Sequence, residues 1–395
     1  MKRFKKIMAI IMVTALLMTI AAISASAAYQ PVSGDNSTSF NKFLIVDGDA
    51  RIPAITFSYS IAPGTAVEAN AANNTPAIIA GVGTPTVGTA VFTSGETAYT
   101  SVQGDDEVSL DSGEKYAKKT VTVDFRSVQF SQPGIYRYVI TENTNADNKA
   151  VTYDTQTSGP ARTRYLDVYV EDENGSGTLA VSSYVMHETT DVVVNNDGDQ
   201  KADDKSSGFV NEITSHEFTF GKEVTGNQGS KDKYFKYTLT ISNAQANTTY
   251  EVNLAGAESA PTKTDATKYT TMSNPSTITT GSHGVVTEYF YLKDGQYITI
   301  KGLPQGYFYE LSEDAEDYTG SNGIAAANNA TNTAYTDPVV NTTGVSADIN
   351  TGFTNDRTGV VPTGVLLTIA PFAIGILLFG ALIIFFIAKR RRNNY

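Results

Sequence analysis

Three observations predict an all-β fold of two tandem sandwiches for the middle of this 395-residue chain. Apolar residues alternate with polar ones at period two. No amphipathic helix of about twelve residues stands out between the termini. A set of short segments recurs in the same order in both halves.

Composition narrows the class further. There are 32 Gly and 13 Pro, which excludes collagen-like and Pro-rich disordered chains. Cysteine is absent, so disulfides, zinc–thiolate sites and thiol catalysis are excluded. The 3 histidines, His187, His216 and His283, are far apart in sequence. With no Trp, 22 Tyr and 18 Phe must build the aromatic core.

In chain order, Lys2, Arg3, Lys5 and Lys6 precede an apolar run from Ile7 to Ile23, and Ala25-Ser26-Ala27 follows. This pattern predicts a signal peptide over 1–27. Val121, Val123 and Phe125 alternate with polar neighbours, as do Leu166, Val168 and Val170, and Tyr237, Leu239 and Ile241. Val67 to Gly88 is rich in Ala, Asn, Gly and Thr and reads as loop, including the glycine pair Gly81 and Gly83. Tyr289 to Leu303 reads as a hairpin turning at Asp294-Gly295. Val365 to Ala388 is a charge-free run of 24 residues, long enough to cross about 30 Å of hydrocarbon. Lys389 to Arg392 follow it, so 389–395 is a basic tail expected to stay cytoplasmic.

The two ends carry eight of the 29 basic residues and no acid. Residues 28–363 therefore hold 21 basic against 41 acidic side chains, a net charge of −20. Such a surface repels nucleic acid and anionic lipid and suits an extracellular chain.

The repeat is the most informative feature. Phe40-Asn41-Lys42 returns as Phe220-Gly221-Lys222. Tyr138 to Glu142 returns as Tyr309 to Glu313, and Phe209-Val210-Asn211 as Phe353-Thr354-Asn355. The order is Lys, Glu, Asn in both halves, which divides the chain into domains at 28–213 and 214–359. Residues i and i+2 of a strand share a face. Lys42 then points with Phe40, Glu142 with Ile140, and Asn211 with Phe209. Lys222, Glu313 and Asn355 repeat the pattern with Phe220, Leu311 and Phe353.

A buried Lys or Glu costs several kcal/mol unless partnered. Burial also lowers a Lys pKa and raises a Glu pKa. A neutral amine is a nucleophile, and a protonated Glu can donate to an amide carbonyl and then pass a proton to the departing nitrogen. Each triplet is therefore predicted to join Lys to Asn through an isopeptide bond with loss of ammonia. The blander alternative is a buried salt bridge with a hydrogen-bonded Asn, and the duplication favours bonding.

Val361-Pro362-Thr363-Gly364, directly before the apolar run and basic tail, resembles a sortase sorting signal at 360–364. Together with the segments above, Ala50 to Ser58, Tyr153-Asp154 and Val224-Thr225-Gly226, it makes nearly the whole mature chain resemble the backbone (shaft) pilins of streptococcal-type Gram-positive pili. The resemblance implies two Ig-like domains and a structural, non-enzymatic role without cofactor or metal. It implies bonds Lys42–Asn211 and Lys222–Asn355, with Glu142 and Glu313 assisting. A pilin sortase would cut after Thr363 and pass its carbonyl to a lysine of the next identical subunit. Lys205 is nearest the expected place and Lys201 is the alternative. Minor tip or base pilins and a host surface are further implied partners, and a cell-wall-anchored pilus the implied location. A single-copy, sortase-anchored adhesin is the competing function. A surface hydrolase would need solvent-open acids, whereas the candidate acids point inward. Asp197, Asp199 and Asp203 loosely suggest a calcium loop, but the bidentate Glu and flanking helices of such a loop are missing.

Overall fold

The computed structural model describes residues 33–34, 36–71, 76–155, 160–190, 205–256, 273–322 and 336–359. The signal peptide, Lys201, the Asp197–Asp203 loop, the sorting motif, the apolar run from 365 to 388 and the basic tail lie outside them. Apart from one short 3-10 turn at Glu173–Gly175, the regular structure among the described residues is all strand.

Up to Ile213, two sheets face each other. One runs in the order Ser33–Gly34, Leu179–His187, Thr163–Asp172, Gly134–Asn143, Ile55–Pro63 and Thr89–Phe92, with Ile79–Ala80 also paired to Gly134–Asn143. The other runs Thr86–Val87, Glu114–Asp124, Ser37–Asp47, Gly208–Ile213 and Val151–Thr152. Their inner faces share one core that includes Phe40, Leu44, Phe57, Tyr138, Ile140, Val168 and Phe209.

From Ser215 the plan is repeated. One sheet runs Thr277–Thr279, Thr249–Gly256, Gln296–Pro304, Ser215–Thr225, Ile349–Asp356 and Thr319–Asn322. The facing sheet runs Val286–Leu292, Phe235–Ser242, Phe308–Glu313 and Val339–Asn341. Phe220, Tyr237, Leu239, Phe290, Ile298, Leu311 and Phe353 belong to a second, separate core.

In each half the first and last long strands lie side by side and parallel. Gly208 permits this in the first half, because a Cβ there would sit 1.7 Å from the Asn41 carbonyl oxygen. The two halves meet through polar contacts. Arg51 Nε lies 3.1 Å from Glu251 Oε1, and Lys301 Nζ lies 2.7 Å from Asp49 Oδ2 and 3.1 Å from Glu217 Oε1. Gly302, at φ +75°, passes so close to Ala50 that a Cβ would fall 2.8 Å from its methyl.

One expectation is corrected, and one strand is buried on both faces. Tyr289 to Leu303 is not a hairpin. Val286–Leu292 pairs with Phe235–Ser242, whereas Gln296–Pro304 pairs with Ser215–Thr225 in the opposite sheet. The turn is an arch across the sandwich, held by Gly295 N–H donating to the Lys222 carbonyl at 2.9 Å and Val224 N–H donating to Asp294 Oδ1 at 2.7 Å. The Ser37–Asp47 strand is also not simply half-buried. Phe43 and Ile45 on its outer face are covered with Tyr116 by Val108 and Leu110.

Candidate functional site

The parallel pairing of first and last strands builds the same site twice. Lys42 stands opposite Phe209 and Leu44 opposite Asn211. Lys222 stands opposite Phe353 and Val224 opposite Asn355. The Asn is thus two residues along from the Lys on the neighbouring strand, on the same inner face, in an identical register. The Glu arrives from the facing sheet, where Tyr59 is the cross-strand partner of Glu142 and Tyr237 that of Glu313.

All six predicted residues are buried. Lys42 Nζ lies 2.7 Å from Glu142 Oε1, and Asn211 Nδ2 donates to the same oxygen at 3.1 Å. Lys222 Nζ lies 2.6 Å from Glu313 Oε1 and donates to the Phe353 carbonyl at 3.4 Å. The ring of Phe57 lies 4.7 Å from Lys42 Nζ, and that of Phe235 4.3 Å from Lys222 Nζ. An aromatic face stabilises a cation by electrostatics without supplying a proton acceptor.

Burial dominates the electrostatics. It lowers both Lys42 and Lys222 to about 8, against the opposing pull of their glutamates. It raises Glu142 and Glu313 above the ordinary carboxylate range, against the opposing pull of their lysines. Both partners are moved towards the neutral amine and the neutral acid, as the amide-forming chemistry requires. Tyr59 and Tyr237 are also raised, first by burial and then by the glutamate beside each.

The amide orientation differs from the sequence expectation. Glu142 contacts the Asn211 amide nitrogen, not its carbonyl oxygen. That oxygen accepts instead from the backbone N–H of Asp154 at 2.9 Å. In the second half neither amide atom of Asn355 reaches a hydrogen-bond partner among the described residues, although the amide lies near enough to help hold Glu313 down.

The sequence did carry a signal for the aromatic floor that the prediction missed. Phe57-Ser58-Tyr59 and Phe235-Lys236-Tyr237 are a further repeat, placing a Phe under the amine and a Tyr beside the carboxyl in each half. Asp154 and its buried partner Arg164, 2.6 Å away, have no described counterpart touching Asn355. No repeat could have marked them.

Lys205 is exposed and lies in an isolated antiparallel bridge with His187. Ser206 N–H donates to the Met186 carbonyl at 3.0 Å. Beneath it Arg137 grips Asp167 through Nε at 2.7 Å and Nη2 at 2.8 Å, and His187 Nε2 lies 3.3 Å from Asp167 Oδ2. A lysine on this anchored edge presents its amine to solvent from a fixed base.

Comparison with known proteins follows the same division. Residues 45–213 match the Spy0128-like isopeptide containing domain, and residues 216–357 match a domain of unknown function, DUF7601. A protein named Pilin from Streptococcus pyogenes serotype M1 is 28% identical over 363 residues, covering 91% of this chain and 92% of its own. The pilus tip adhesin Cpa of Streptococcus pyogenes is 27% identical over 217 residues, covering 55% of this chain and 26% of its own. The solved structure of the major pilin from Streptococcus pyogenes is 21% identical, overlaps 83% of this chain and 100% of its own, and has a TM-score of 0.49. With two β-sandwich domains built on one plan and a similarity that spans nearly its whole length, the chain is similar to a pilin of Streptococcus pyogenes, and its residues 45–213 match the Spy0128-like isopeptide containing domain.

Proposed function

We propose that this chain is a pilin shaft subunit that closes Lys42–Asn211 and Lys222–Asn355 by itself and is then joined head to tail by a sortase. The observation that carries the first part is the position of Glu142. One oxygen lies 2.7 Å from the amine and 3.1 Å from the amide nitrogen that must leave. The amine attacks the Asn carbon, the carboxyl relays the surplus proton to the amide nitrogen, and ammonia departs. Fixed neighbours in a dry core replace a bimolecular encounter, which is worth several kcal/mol of barrier.

Each bond ties a domain's first strand to its last. Tension entering one end then passes through covalent bonds rather than peeling the sheets. Intact mass of residues 28–363 tests this. The mature chain should be lighter than its sequence by two molecules of ammonia, and full mass would falsify the assignment.

For polymerisation, Thr363 would supply the carbonyl after cleavage at Thr363–Gly364, and Lys205 the amine of the next subunit. The exposed, backbone-anchored position of Lys205 supports it. Cell-wall extracts should show high-mass ladders that vanish in Lys205→Ala and persist in Lys201→Ala. Ladders lost only in Lys201→Ala would move the linkage there. Extracts without ladders in the unmutated strain would favour a single-copy adhesin.

A further inference from the structure

Attack by Lys42 on Asn211 moves the carbonyl electron pair onto Oδ1. An oxyanion buried in an apolar core needs a donor already in place. One is present. Asp154 N–H donates to Asn211 Oδ1 at 2.9 Å, within the range an oxyanion donor occupies.

That N–H is held from several sides. The Asp154 carboxylate accepts from Arg164 Nη2 at 2.6 Å and from Val210 N–H at 3.3 Å. Its carbonyl accepts from Arg162 N–H at 3.1 Å. Arg164 is itself buried and donates through Nε to Ser206 Oγ at 2.7 Å and through Nη1 to the Thr163 carbonyl at 3.1 Å. Its guanidinium lies 4.7 Å from the Phe209 ring, two residues before Asn211. The short strand Val151–Thr152 pairs with the Asn211 strand and delivers Asp154 to this point.

We propose that the Asp154 peptide N–H is the oxyanion donor for closure of the first-domain bond, and that Arg164 is the positioning residue that holds it there. The inference rests on the bond assignment given under Proposed function. Lys42 Nζ adds to the Asn211 carbon and Oδ1 takes the negative charge against the Asp154 N–H. Glu142, as the neutral acid, gives its proton to Nδ2 and takes the surplus proton from the new nitrogen in return. The oxyanion then collapses, the carbon–Nδ2 bond breaks and ammonia leaves. No redox partner is needed. In the second domain Asn355 Oδ1 meets no donor among the described residues, so the assignment is made for the first domain alone.

The test times both closures in one molecule. Residues 28–363 are made by cell-free synthesis, quenched in acid at intervals, digested and mapped by mass. The Lys42–Asn211 and Lys222–Asn355 peptides then report separately, counted only in chains whose first domain already resists protease. Replacing Asp154 by its α-hydroxy acid through nonsense suppression deletes the N–H and keeps the side chain. First-domain closure should slow by about 100-fold, with second-domain closure unchanged. Arg164→Ala should slow it by about tenfold, and Arg164→Lys should recover part of that loss. First-domain closure at the unmutated rate in the ester chain overturns the proposal. So does slow appearance of protease-resistant chains followed by normal closure. If the unmutated chain never forms the Lys42–Asn211 peptide, the bond assignment itself fails, which is a distinct result.

Discussion

The two domains share one Lys–Glu–Asn arrangement and differ in its surroundings. Both place a Lys–Glu contact of 2.6–2.7 Å over a Phe ring, with the Asn in one register and both lysines lowered to about 8. Among the described residues, only the first domain holds its Asn amide at both ends, between Glu142 and Asp154. In the second, Tyr237 O–H donates to the Gly221 carbonyl at 3.0 Å, whereas Tyr59 O–H has no hydrogen-bond partner among the described residues. Desolvation and strand register are therefore the common requirement. The hydrogen bonds around the centre are local to each domain.

The largest expected effect comes from removing each relay carboxyl. Glu142→Ala should leave the chain one ammonia light instead of two, with the unlinked peptide mapping to the first domain, and Glu313→Ala should do the same in the second. Each would lose the proposed cross-link, enclosing 169 or 133 residues and worth roughly 5 kcal/mol by the loop-entropy model for disulfides. Each also strands a buried amine, worth about 3–5 kcal/mol. Calorimetry should show two transitions, with the altered domain melting first. Equal loss of both bonds in either variant would break the independence of the two centres.

A pH series sharpens the shared part. Asn211→Ala with Asn355→Ala keeps both amines free. A lysine at about 8 when folded and 10.5 when unfolded is penalised for its charge. The unfolded state holds more protons between those values, so stability must rise with pH across that window. The gain should approach roughly 3 kcal/mol per domain, read from urea midpoints. The linked chain has amides in place of amines and should show no such rise. A flat profile in the double variant would contradict the depressed lysines.

The smallest effect separates the tyrosines. Tyr237→Phe should cost about 1 kcal/mol, because it leaves a buried carbonyl short of a donor. Tyr59→Phe should be close to neutral. Equal costs in the two domains would remove this difference between them.

Much of the site was legible because strand geometry is simple. Phe40-x-Lys42, Ile140-x-Glu142 and Phe209-x-Asn211 each put a polar residue on an apolar face, and a period of two leaves no other face. The arch at Asp294-Gly295 was not legible. A hairpin and an arch show the same alternation, and only the pairing of Gln296–Pro304 with Ser215–Thr225 distinguishes them. The buried outer face of Phe43 and Ile45 was hidden for a related reason, since its cover of Val108 and Leu110 comes from a loop without periodicity.

Chain order and alternation alone settled that this protein is β throughout its centre, that it is duplicated, and which six side chains face inward. Those properties belong to neighbours in sequence. Tertiary structure decided which atom of Asn211 meets Glu142, that Asp154 supplies the opposing N–H, and that Asn355 has no such donor among the described residues. These depend on how segments 57 and 69 residues away from Asn211 stack against it, and burial gives such contacts their energy only once the sheets have closed.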